Sequence, residues 1–328
     1  MDISTIFSKF ESLRILVIGD VMIDAYVEGS VTRVSPEAPV PIVNLKNRTQ
    51  RLGGAANVAL NLAALGATPV LTSIIGNDEG GEDLINLMEE AGMVTSGMEK
   101  SRDRKTTVKT RVIGNQQQLL RIDDEIIAPL TIAEEDQIIA NVSKHLNEID
   151  AIIFEDYNKG VLTSRVITEV IAMARESDVI TTVDPKKEHF FEYRNVTMFK
   201  PNLKELKEGL NIDAELVPKG DAFEQAIAAM EEKLQNEISF VTLSEHGVFI
   251  QKSHSKHYVP AHIRNISDVS GAGDTVISVA TACLAAGMEI RDVAEWANLA
   301  GGLVCERTGV VPVDKQQLQA EIVKLEEA

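Results

Sequence analysis

Leu13-Arg14-Ile15-Leu16-Val17-Ile18-Gly19-Asp20 is a nearly unbroken apolar run that stops at a glycine and an aspartate. A strand this apolar has no face it can leave in water. It belongs inside a parallel sheet covered on both sides, with its C-terminal end opening towards a site. Pro69 to Ile75, Ala151 to Phe154, Val179 to Val183, Val196 to Phe199 and Phe240 to Leu243 read as further strands. Helical spacing runs through Ala55 to Leu65, Gly80 to Ala91, Ile132 to Leu146, Ser164 to Glu176, Leu203 to Glu208 and Ala222 to Leu234, with Gly66 and Gly92 as stops. This alternation specifies an α/β fold: three layers, with a mostly parallel central sheet between helices. Leu318 to Leu325 is an amphipathic helix expected to pack on the main layer.

Two segments, about 25–51 and 104–123, break the rhythm with β-branched alternation, as in Thr106-Thr107-Val108-Lys109-Thr110-Arg111-Val112. They read as one small second sheet inserted in a single domain, 1–328, and placed as a lid over the strand ends; a pair of surface hairpins is the alternative. A lid over a site excludes water. Its open face or edge would be covered by a second copy, giving a homodimer.

Composition narrows the partners. A formal net charge of -18 argues against nucleic acid or an anionic membrane, both of which rely on dense Lys/Arg fields. It leaves room for an anionic small molecule in a local cationic pocket. No stretch has the eighteen or so apolar residues of a membrane span, and Met1 to Leu13 lacks an apolar signal core, so a cytoplasmic protein is expected. Cys283 and Cys305 lie in small-residue helical contexts and read as buried thiols.

The chemistry concentrates in Asp268-Val269-Ser270-Gly271-Ala272-Gly273-Asp274-Thr275, a glycine turn followed by a helix from Val276 to Ala286. Such a turn presents unpaired N–H groups and the positive end of a helix to an anion. Asp274 is ill-suited to holding an anion but suits a base that takes a proton from a hydroxyl while the N–H groups of Gly271, Ala272 and Gly273 stabilise a transferring phosphoryl group. An ordinary loop capping a surface helix is the plain alternative. Asp20 and Asp24 follow the first strand, where open sheets bind ligands, and suit sugar hydroxyls. Gly53-Gly54-Ala55-Ala56-Asn57 opens a second helix and is assigned to the acceptor.

In the lid segments Lys109 and Arg111 share a strand face, with Arg121 and Arg33 able to join them. A cationic face in so acidic a protein suggests a substrate that carries its own phosphate. Salt bridges to Glu37 or Asp123, or a merely solubilising strand, would explain the same residues. Asn202 and Glu205, three apart at a helix start, could reach Mg²⁺ through its water shell, or could simply cap the helix. The six histidines show no metal-binding spacing. A dinucleotide oxidoreductase is excluded by position, since no glycine fingerprint and helix follow Ile15 to Gly19.

Together these motifs resemble the ribokinase-like (PfkB) family of carbohydrate kinases over essentially the whole chain. Within it the similarity is greatest to the heptose 7-phosphate kinase domain of bifunctional ADP-heptose synthesis proteins. That similarity is carried by Gly19 to Asp24, Arg33 to Pro41, Asn115-Gln116-Gln117, Leu120 to Asp123, Asp156 to Gly160, Asp184-Pro185-Lys186 and Pro201-Asn202. The resemblance implies a ribokinase-like sandwich using ATP and Mg²⁺. It implies Asp274 as base, Gly271 to Gly273 as anion hole, and Asp20, Gly53, Gly54 and Asn57 as sugar contacts, with Asp156 and Lys186 joining the substrate side. Asn202 and Glu205 would handle Mg²⁺ and phosphate, and Thr242, Ser244, Gly247, Asp268 and Asn298 would flank the nucleotide. The implied reaction is ATP-dependent phosphorylation of O1 of D-glycero-β-D-manno-heptose 7-phosphate, with a separate nucleotidyltransferase expected to act next. A different sugar or sugar-phosphate kinase, or a silent sensor on the same fold, are the competing readings; a sensor has no use for a base at Asp274. Three positions depart from the pattern: Ser270 for threonine, Glu155 for serine and Gly114 for a basic residue.

Overall fold

The computed structural model describes residues 2–262 and 264–327. The chain opens with helix α1 (Ile3–Phe10) and strand β1 (Arg14–Gly19), then forms β2 (Val21–Val34) and β3 (Pro41–Gly54). Next come α2 (Ala55–Leu65), β4 (Thr68–Gly76), α3 (Glu79–Glu90), β5 (Met98–Ser101), β6 (Thr107–Gly114) and β7 (Gln117–Asp124). The middle holds α4 (Ile132–His145), β8 (Ala151–Glu155), α5 (Ser164–Glu176), β9 (Ile180–Asp184), β10 (Met198–Phe199), α6 (Leu203–Leu210) and α7 (Asp221–Leu234). The last third comprises β11 (Ile238–Thr242), β12 (Val248–Lys252), β13 (Ser255–Val259), α8 (Ala272–Ala285), α9 (Ile290–Cys305) and α10 (Lys315–Glu326).

Nine strands form the large sheet in the order β13-β12-β11-β10-β9-β8-β1-β4-β5. Every pairing from β11 to β5 is parallel, and β12 and β13 add an antiparallel edge. The apolar run of β1 serves two cores at once. Ile15 and Val17 pack on one side with α2, α8 and α9, whereas Leu16 and Ile18 pack on the other with α4, α5 and α7. Alternate residues pointing to opposite faces make both necessary. Cys283 and Cys305 are free thiols, both buried. Among the described residues no helix is long and apolar enough to cross a membrane.

The second sheet has four strands in the order β3-β2-β6-β7. It begins at Val21, earlier than the alternation predicted, so Asp24 belongs to a lid strand and not to a crevice loop. Asn115 and Gln116, with φ of 52° and 68°, make the tight β6–β7 turn. The predicted strand at Val196 shrinks to Met198–Phe199. At its start the hydroxyls of Thr181 and Thr197 accept each other's backbone N–H groups (3.0 and 3.1 Å), replacing ladder bonds. The helix predicted from Val276 starts at Ala272, because Gly271 at φ 79° turns the chain directly into it.

Candidate active site

Asp274 lies in the first turn of α8, where β1, β8 and β9 end, and is 3% exposed. Asn57 Nδ2 donates to its Oδ2 (2.7 Å) and the Tyr157 hydroxyl donates to its Oδ1 (2.9 Å). Burial raises its pKa to about 6 against those two hydrogen bonds. A carboxylate held this way is oriented and basic enough to accept a proton near neutral pH. Asn57 is itself fixed, since Asn61 Nδ2 donates to its carbonyl (2.9 Å) while Asn61 Oδ1 accepts from Thr275 Oγ1 (3.0 Å) and Val313 N (2.9 Å).

The helix start has no side-chain cap. The Ala272 N–H bonds the Val269 carbonyl at 3.3 Å, and the Ser270 N–H goes to Asp268 Oδ1 at 3.0 Å. Among the described residues this leaves the N–H groups of Gly271, Gly273 and Asp274 without a protein acceptor. The N–H groups open to an anion are therefore those of the two glycines and Asp274, while Ala272 N–H is engaged by its own bond. A Cβ on Gly271 would sit 3.0 Å from Asn57 Nδ2, and one on Gly273 would sit 3.4 Å from Asp184 Oδ2. At Gly271 both the close approach and the φ of 79° favour glycine, whereas at Gly273 a Cβ would be in ordinary contact with the ion pair below.

Asp20 acts from beneath. Its carboxylate accepts N–H bonds from Tyr157 (2.9 Å), Lys159 (3.0 Å) and Val161 (3.0 Å) and holds the 156–161 loop against β1. Both oxygens are thus engaged by backbone. That loop delivers Tyr157 to Asp274, a role the sequence reading did not assign. Asp156 points the other way, accepting from the buried Tyr193 hydroxyl (2.8 Å) and the Asn158 N–H (2.7 Å). Its expected place among the substrate contacts is corrected accordingly. Gly53 packs against the Asp24 carboxylate with no space for a Cβ, and Gly54, at φ 58°, leads into α2.

Two lysines missed or only half read line the other wall. Lys200, 2% exposed, bonds Asp184 Oδ2 at 2.8 Å. Lys186 reaches Glu205 Oε1 (2.5 Å) and lies over the Tyr157 ring, 5.2 Å from its centroid. Burial works against the Lys186 ammonium, but Asp184 and Glu205 outweigh it and raise its pKa. Glu205 Oε2 accepts from the Asn202 N–H (2.9 Å) while Asn202 Oδ1 accepts from the Glu205 N–H (2.8 Å). Of the two readings of this pair, the helix cap is formed. Among the described residues no group of three or more His, Cys, Asp or Glu could hold a metal ion.

One lid face lies against the site. Arg51 donates to the Thr308 and Val310 carbonyls (both 3.0 Å), and the Gly309 N–H reaches Asp268 Oδ2 (2.9 Å). Asp268 is thus a clasp between the 268–271 and 307–310 segments. Register pairs Arg111 with Arg121 and Lys109 with Asp123 on this face. Three of its cations have carboxylate partners, whereas Arg51 bonds backbone carbonyls and the neighbouring Lys159 takes a share of Glu125 (2.7 Å). Arg111 pairs with Asp24, Lys109 with Asp123 (3.4 Å) and Glu125 (3.3 Å), and Arg121 forms a fork on Asp123 (2.7 and 2.9 Å). These carboxylates compensate the expected cationic face in part, Asp123 being the partner that the sequence also offered. Arg33 is exposed near the far end of β2. Nine residues beyond Asp24 places it roughly 30 Å from the site along the strand, so it does not join the other cations within one copy.

On the remaining side Thr242 bridges to Asn202, and Ser244 and Gly247 take left-handed conformations, with φ of 54° and 88°. Asn298 Nδ2 donates to the Pro260 carbonyl (2.8 Å) and ties α9 to the segment after β13.

The pfkB family carbohydrate kinase model matches residues 12–316. The bifunctional protein HldE of Methylobacillus flagellatus is 39% identical over 313 residues, 94% of this chain and 63% of that protein. HldE of Rhodospirillum rubrum is 37% identical over 325 residues, 98% of this chain and 64% of that protein. The chain thus spans less than two thirds of the length of these relatives. Phosphofructokinase-2 from Escherichia coli in complex with potassium has the same fold, with a TM-score of 0.78 at 19% identity over 95% of this chain and 99% of that one. A putative ribokinase from Agrobacterium tumefaciens gives 0.74 at 16% identity, covering 97% of this chain and 99% of the other. With residues 12–316 matched by the family model, the chain belongs to the pfkB family of carbohydrate kinases.

Proposed function

We propose that the protein transfers the γ-phosphoryl group of ATP to O1 of D-glycero-β-D-manno-heptose 7-phosphate, giving the 1,7-bisphosphate. The kinase step rests on one observation above all: a buried carboxylate, Asp274, aimed by Asn57 and Tyr157 beside three unpaired N–H donors. Asp274 takes the proton of the attacking hydroxyl, and the N–H groups of Gly271, Gly273 and Asp274 stabilise charge on the transferring group. Lys186 and Lys200, each paired with a carboxylate, place ammonium groups on the wall beside it. The 242–247 segment and Asn298 flank the nucleotide.

Magnesium carried by ATP neutralises phosphate charge when bound. The residues fit an ion that keeps its water, because the Glu205 oxygens and Asn202 Oδ1 already have protein donors. Asn202 and Glu205 would hold it through that water.

The heptose reading is supported by the resemblance of the flanking motifs and by the HldE relatives. A specific observation favours the second reading, a kinase for another sugar such as ribose, fructose or fructose 6-phosphate. Lys109, Arg111 and Arg121 have carboxylate partners, so a terminal phosphate bound by them competes with Asp24, Asp123 or Glu125. A coupled ADP-release screen against phosphorylated and unphosphorylated hexoses and heptoses separates them. Fastest turnover of the heptose 7-phosphate is expected; faster turnover of ribose, fructose or fructose 6-phosphate rejects it while sparing the kinase.

The same reading includes a homodimer through the lids. Val34, Val40, Leu45, Leu120 and Ile122 are exposed apolar residues of these segments, between 48% and 62% accessible. A monomer by light scattering at micromolar concentration would contradict it.

A further inference from the structure

Glu155 ends β8 with its side chain fully buried, and neither carboxyl oxygen has a hydrogen-bond partner among the described residues. Register places it beside Gly19 of β1 and Asp184 of β9. Paired residues of neighbouring strands point to the same face, so Glu155 and Asp184 lie together under the start of α8. The titratable groups facing Glu155 are Asp184, Asp274, Lys186, Lys200 and the Tyr157 hydroxyl. Gly19 brings no charge. Of the cations, Lys186 is held by Glu205 and Lys200 by Asp184. An ionised Glu155 would therefore be a surplus anion in a dry pocket with no donor to receive it.

What lies above gives this a consequence. A Cβ on Gly273 would be 3.4 Å from Asp184 Oδ2 and 3.9 Å from Lys200 Nζ, so that ion pair forms the floor of the anion-binding turn. With Glu155 neutral the floor is an overall neutral pair. With Glu155 ionised, Lys200 is shared between two carboxylates and the floor turns negative where phosphate must sit. We propose that Glu155 is a positioning residue: as a neutral carboxylic acid it reserves the Lys200 ammonium for Asp184 and keeps the floor of the anion-binding turn free of net negative charge. This rests on the reading of the 271–274 turn as the place where phosphate is held. Burial, then Asp184 and Asp274, raise the pKa of Glu155 well above the ordinary glutamate value, in the same direction.

The proposal is tested on the whole protein by comparing wild type with Glu155→Gln. At about pH 8, Asp156 and Asp274, both pushed up to about 6, are ionised. The wild type should then show the infrared carbonyl stretch of a protonated carboxylic acid, and Glu155→Gln should lack it. Because the folded state holds the proton more tightly than the unfolded chain, wild-type stability falls as pH rises above the unfolded glutamate value. Glu155→Gln, which cannot ionise, should gain in melting temperature over wild type by a margin that grows with pH. Calorimetry with magnesium-ATP should show binding weakening on the alkaline side in wild type, with that limb displaced upward by at least about one pH unit in Glu155→Gln. An unchanged infrared band, a stability deficit in Glu155→Gln that deepens with pH, or superimposable ATP-affinity profiles would each overturn the proposal. Should Glu155→Gln not fold, the wild type alone decides. Its band must vanish at the pH where ATP affinity falls, and absence of the band at about pH 8 contradicts the proposal. Failure of the base assignment is separate: Asp274→Asn would then keep turnover while leaving these readouts of Glu155 in place.

Discussion

Charges under the 271–274 turn and charges on the lid are both paired, but in different ways. Beneath the turn Asp20, Asp184, Lys200 and Asp274 are at most 5% exposed and bonded to fixed partners. On the lid the Arg121 side chain is 49% exposed and shares Asp123 with Lys109. The buried set holds one geometry because every alternative leaves a polar group unsatisfied in a dry place. Arg121 at the lid rim can exchange partners at small cost, since water screens an exposed pair, whereas Arg111 and Asp24 deeper in the lid are largely buried. Under the proposed function, the chemistry, which needs fixed distances, belongs to the first set and substrate discrimination to the second.

If that division holds, substitutions should lose effect from floor to lid rim. Asp274→Asn is expected to lower kcat roughly 10²- to 10⁴-fold while leaving ATP affinity largely intact, as read by ADP release and calorimetry. Asn57→Ala removes a buried donor to a charged group, so a loss of about 1.5–3 kcal/mol, roughly tenfold to over a hundredfold in kcat/KM, is expected. Its acid limb should also move to higher pH, because the ionised Asp274 loses a stabilising bond. Arg111→Met strands the buried Asp24. A stability loss of about 1–3 kcal/mol in urea unfolding is expected, with a raised KM for the sugar and a smaller change in kcat. Arg121→Gln removes a pair that is half exposed, and should cost under about 1 kcal/mol. A larger effect at Arg121 than at Arg111 would erase the distinction between floor and rim.

The floor was legible where backbone chemistry writes it into sequence. Gly271 and Gly273 around Ala272, with Asp274 following, announced a turn with a carboxylate at the helix start, and the β1 run announced the sheet. Pairings across the sheet were not legible. Glu155, Asp184 and Lys200 stand at the ends of three segments well apart in the chain and meet only through parallel register. Tyr157 and Asp156 could not be told apart by position alone, since the turn after β8 decides which of them faces Asp274. The Asn202/Glu205 spacing suits a cap and a hydrated metal equally, and only the bonds formed choose between them. On the lid, β-branched alternation gave the strands and the shared face of Lys109 and Arg111. It could not reveal that Asp24 of β2 would lie beside Arg111, which depends on how β2 and β6 align.

The account stands on Asp274 acting as an ionised base from a buried position, and the pH dependence of kcat/KM tests this most directly. Burial raises this carboxyl to about 6, so the active form is present above that value and is lost as pH falls through it. Wild type should therefore show a single-proton acid limb with a midpoint near 6, far above an ordinary aspartate. A profile that stays flat through that midpoint and declines only in the range of a solvent-exposed carboxylate would contradict the account.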